Sequence, residues 1–107
     1  METALLGLDL SEVLNRLKEM ILRKGFIIQT MNNNVVVAYQ EGSWFRRPRQ
    51  VVFEISSLDK NITRIDITAI INSEKSNRQD EEIMEENYAS DIYNNFTPAA
   101  LQTYGIR

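Results

Sequence analysis

Residues 50–72, QVVFEISSLDKNITRIDITAIIN, decide how this chain folds. Val51, Phe53 and Ile55 alternate with Val52, Glu54 and Ser56. Further on, Ile65, Ile67, Ala69 and Ile71 alternate with Arg64, Asp66, Thr68 and Ile70. Successive side chains on a strand point to opposite faces, so each half presents one strongly apolar face. The density of β-branched residues favours strand over helix. Ser57–Asn61 between them is a polar connection of hairpin length. The stretch predicts two antiparallel strands, over about 50–56 and 62–72, at the centre of a sheet.

Upstream, Asp9-Leu10-Ser11-Glu12 is an Asp-led capping box. Leu10, Val13, Leu14, Leu17, Met20 and Ile21 then form one helical stripe, closed by Arg23, Lys24 and Gly25. This predicts a helix over about 10–24. Strands are expected over 26–31 and 35–40, joined by a turn at Asn32-Asn33-Asn34, since Asn tolerates positive φ. Downstream, Asp80, Glu81 and Glu82 suit the opening turns of a second helix over about 78–95. Met84, Tyr88, Ile92 and Phe96 form its apolar stripe. Thr97-Pro98 begins a short terminal turn over 98–103.

The expected fold is therefore α+β, a two-layer sandwich in the order α-β-β-β-β-α. Its sheet would be a four-stranded antiparallel meander with both helices on one face. A chain of 107 residues with 43% apolar residues is expected to form one domain. This order, with the Leu17 to Gly25-Phe26 helix-to-strand step, resembles that of the kinase-associated lipid-binding domain, the helix-grip modules of outer-membrane assembly lipoproteins and the secretion chaperones of pathogens. The resemblance is one of element order over about 80 residues. It implies a fold and no function.

Composition narrows the chemistry. The chain has no Cys and no His, which removes thiolate nucleophiles, cysteine–metal sites and the commonest general base and metal ligand. It has no phosphate-cradling glycine loop. No apolar run reaches the roughly 18–20 residues of a membrane span. A non-enzymatic, cytoplasmic protein without cofactor or metal is expected. The net charge of −3 conceals a gradient: residues 41–79 carry +2 and residues 80–107 carry −5. Such segregation suits self-complementary packing. The acidic run Asp80–Glu86 is spread around a helix rather than converging on an ion. Glu54 and Asp66, on adjacent strands, are a candidate carboxylate pair whose simpler reading is an exposed sheet face.

Two surfaces stand out. Opposite the core face, Ile27, Val36, Ala38, Val52 and Ile70 are expected to mix with polar residues in a half-apolar open face, suited to a protein partner or a second copy in a homodimer. The alternative site is the connection Trp44-Phe45-Arg46-Arg47-Pro48-Arg49. There planar arginine forks and stacking aromatics suit an anionic partner: nucleic acid, phospholipid or a phosphorylated protein. The structural reading of that loop has Trp44 and Phe45 capping the core edge, and the arginines solvated or paired with the acidic helix.

Overall fold

The computed structural model describes residues 1–72 and 77–96. The elements are β1 (Glu2–Leu6), α1 (Leu10–Arg23), β2 (Ile27–Met31), β3 (Val35–Gln40), β4 (Arg49–Asp59), β5 (Ile62–Ile71) and α2 (Arg78–Asn95). They build one antiparallel sheet in the order β1-β5-β4-β3-β2. Both helices feed the same buried cluster on one face of it. The α+β two-layer arrangement with a meander stands, but the sheet has five strands rather than four. The expected turn over 98–103 lies outside the described residues.

α1 forms for the reasons its sequence suggests. The Asp9 carboxylate accepts from the Glu12 amide at 2.8 Å, satisfying one free donor of the first turn. Glu12 pairs with Arg16 at 2.7 Å instead of reaching back. Gly25 takes φ 85°, which lets Phe26 N–H return to the Ile21 carbonyl at 3.2 Å and close the helix. Val13, Leu17, Met20 and Ile21 are thereby buried against the sheet. At the 32–34 turn no positive φ is used. The Asn32 carboxamide oxygen instead accepts from the Asn34 and Val35 amides at 2.8 and 2.9 Å.

The β4–β5 hairpin is longer than its apolar pattern. Its ladder runs on to Asp59 and Ile62, with a register shift between Ser57 and Asp59. Backbone pairing needs no apolar side chain once both faces of a ribbon are wet.

The fifth strand, β1, pairs with the outer side of β5, from Glu2 opposite Ile67 to Leu6 opposite Thr63. It stops short of Ala69 and Ile71, whose amides would be left open. α2 supplies the acceptors: Glu85 takes Ala69 N–H at 2.8 Å and Glu81 takes Ile71 N–H at 2.9 Å. An unpaired buried amide is costly, so these two glutamates lock α2 to the sheet edge. Glu85 is 1% exposed, and its other oxygen receives the Met1 amino group at 2.8 Å and Arg78 at 2.9 Å. Burial pushes its carboxyl up, but the Met1 amino group, Ala69 N–H and Arg78 outweigh that and hold it below the usual glutamate range.

Between the layers Tyr88 stands edge-on to Phe53 at 5.3 Å and to Phe26 at 5.7 Å. The Lys24 ammonium lies 4.7 Å from its ring centre and pairs with Asp91.

Candidate functional site

The strand register decides which residues share the open face. Val36 lies opposite Phe53 and Ala38 opposite Val51, so all four point into the core; Val36 and Ala38 are fully buried. The expectation that placed Val36 and Ala38 on the open face is corrected by one residue along β3. Both alternating sets of β3 are apolar, so patterning could not choose between them. The register with β4 settles it, because Val51 and Phe53 already face the core.

Val35, Val37 and Tyr39 therefore occupy the open face, where the sequence reading missed them. Across the sheet, Ile27, Tyr39, Gln50 and Ile70 form one row, and Val37, Val52 and Thr68 the next. Ile27 and Ile70 are exposed, and Val37, Tyr39 and Val52 half-buried. Gln50 donates to the Gln29 side-chain oxygen at 3.0 Å, tying β2 to β4 across the face. Beyond these rows the surface turns polar. Glu54 lies opposite Asp66, and Asp66 accepts from Thr3 at 2.6 Å and Arg64 at 3.1 Å. These partners relieve the like-charge pairing and leave Asp66 engaged in structure. Among the described residues, no element packs over this face.

The 41–48 connection is a small internally bonded hairpin. Ser43 N–H donates to the Arg46 carbonyl at 2.7 Å, and Arg46 N–H returns to Ser43 at 3.3 Å. Phe45 N–H donates to the Ser43 hydroxyl at 3.3 Å. Pro48 packs so closely on Gly42 that an added Cβ would come within 2.8 Å of its ring. This geometry throws Trp44 and Phe45 outward, at 98% and 99% exposure. They do not cap the core edge, so the part of the structural reading that had them do so is corrected.

The arginines sit behind the tip, on the helix side. Arg46 donates twice to the Glu41 carbonyl, at 3.2 and 2.9 Å. Arg49 reaches the Met84 sulfur at 3.9 Å and the Arg47 carbonyl at 3.4 Å. Among the described residues no carboxylate pairs with Arg46 or Arg49; the α2 acids Glu81, Glu82 and Glu85 pair with Arg78 instead. With Ile71, Ile83, Met84, Asp80 and the two amides Asn77 and Asn87, the loop encloses an open groove of about 600 Å³.

No helix among the described residues is long and apolar enough to cross a membrane. No protein-family model matches the chain, and no curated protein matches it either.

Proposed function

We propose that this chain is a non-enzymatic protein-binding module whose open sheet face is covered by a second copy of itself. One observation carries the reading: Ile27, Tyr39 and Ile70, with Val37 and Val52 in the neighbouring row, make a half-apolar area, broken by Gln50, on a face that nothing described covers.

The area suits a homodimer. Five strands about 4.8 Å apart give a face roughly 24 Å wide, and two such faces over about 20 Å of strand approach the 1,000 Å² of a stable interface. A two-fold axis through the Val37–Val52 pair lays this apolar area on its own copy and leaves Glu54, Arg64 and Asp66 at the rim, where charges belong in an interface. The absence of Cys agrees with a cytoplasmic setting. Sedimentation velocity tests the reading. The wild-type chain is expected to be dimeric, and Val52→Lys to give a folded monomer with an unchanged circular dichroism spectrum. A wild-type chain that sediments as a monomer at millimolar concentration would overturn it.

A second reading, a module for an anionic ligand, is favoured by the full exposure of Trp44 and Phe45 beside Arg46 and Arg49, which pair with no carboxylate among the described residues.

A further inference from the structure

We propose that the 41–49 hairpin docks on an anionic lipid bilayer, with Trp44 and Phe45 entering the boundary between headgroups and acyl chains and Arg46 and Arg49 taking lipid phosphates. The inference narrows the anionic-ligand reading to one partner and does not depend on the dimer.

Three observations point to a bilayer. The two aromatic side chains form a convex, uncharged tip, held outward by the Ser43–Arg46 bonds. A convex wedge suits a deformable apolar medium, where Trp and other large apolar side chains settle at the interfacial depth. The charge then lies at the right level, because Arg46 directly follows Phe45 and Arg49 begins β4. Arg46 spends its contacts on the Glu41 carbonyl and Arg49 on uncharged acceptors, so both keep their full charge and free N–H groups for a phosphate. Finally, Arg46, Arg47 and Arg49 fall within four residues, a short basic cluster with Glu41 in the same hairpin and Asp80 across the groove, in a chain that as a whole is at −3. Nucleic acid rewards a longer basic track. A bilayer needs only a few cations when apolar residues share the attachment.

Trp44 is the only tryptophan, so its emission reports docking directly. The experiment titrates the full chain with vesicles of phosphatidylcholine alone and of phosphatidylcholine mixed with phosphatidylserine, and follows co-sedimentation in parallel. With the mixed vesicles, Trp44 emission is expected to shift to the blue and to be quenched by brominated acyl chains. The signal should be lost at high salt and be weak on phosphatidylcholine alone. Arg46→Gln and Arg49→Gln should each lower partitioning about fivefold, and Phe45→Ser about tenfold. The Val52→Lys chain keeps the loop intact and should bind as well as wild type, so failure of the dimer reading leaves this test standing. No co-sedimentation with the mixed vesicles would overturn the proposal. So would binding indifferent to both arginines, or an emission change with inorganic phosphate or a single-stranded oligonucleotide but not with vesicles.

Discussion

Tyr88 fills the centre of the core with its ring while its hydroxyl, also buried, meets no hydrogen-bond partner among the described residues. A buried polar group left without a partner costs about 1–3 kcal/mol. Tyr88→Phe keeps the edge-on contacts with Phe26 and Phe53 and the Lys24 contact, and removes that cost. The variant is expected to gain about 1 kcal/mol, raising the thermal midpoint by roughly 4–8 °C. The same residue sets an alkaline limit. Burial, and then the charge of Asp91, push its phenol well above the ordinary value near 10. The unfolded chain ionises first, so this contribution is complete below about pH 10 and fades as pH rises above it. Tyr88→Phe should lack that part of the loss, which denaturant melts of both chains at pH 8 and pH 11 would reveal. An equal alkaline slope in the two chains would refute the assignment.

At the scale of an element, β3 gives the sharpest test of facing. Val36 and Val37 are neighbours of one type on opposite sides of the sheet. Val36→Asp buries a charge in the core and should cost more than about 4 kcal/mol, a large share of the roughly 5–15 kcal/mol of an ordinary domain. Val37→Asp should cost about 1 kcal/mol or less and leave a folded, more monomeric chain. Urea melts decide between them. This element also shows where sequence reading stops. α1 was legible because a cap, a stripe and a glycine stop all agree, and β4 with β5 because one face is charged. β3 was not, since its two faces carry equal hydrophobic signal and only the partner strand settles them. Of the open face, Ile27, Val52 and Ile70 were legible and Val35, Val37 and Tyr39 were not, for that one reason. The loop could be read in composition but not in posture. Its outward throw comes from the Ser43–Arg46 bonds and the Gly42–Pro48 contact, which no residue pattern announces.

For the molecule as a whole, β1 is the part that local sequence could not supply. Met1–Leu6 shows no clean alternation, and its partner lies about sixty residues away on β5. Closing so long a loop costs entropy before any contact offsets it. The four-stranded meander from β2 to β5 needs no such closure. In pulse-labelled refolding, the amides of β2 to β5 should gain protection first and those of β1 last. Simultaneous protection would show that the N-terminal strand belongs to the folding nucleus. The same placement acts during synthesis. β1 leaves the ribosome about sixty residues ahead of its partner β5, and at about 5–20 residues per second that is a wait of roughly 3–12 s. Through that interval Ala4, Leu5 and Leu6 trail free beside a half-built sheet whose β4 edge is still open. A nascent chain arrested before β5 would therefore offer both the apolar β1 segment to a chaperone and an unfilled strand position beside β4 to a neighbouring chain on the same message.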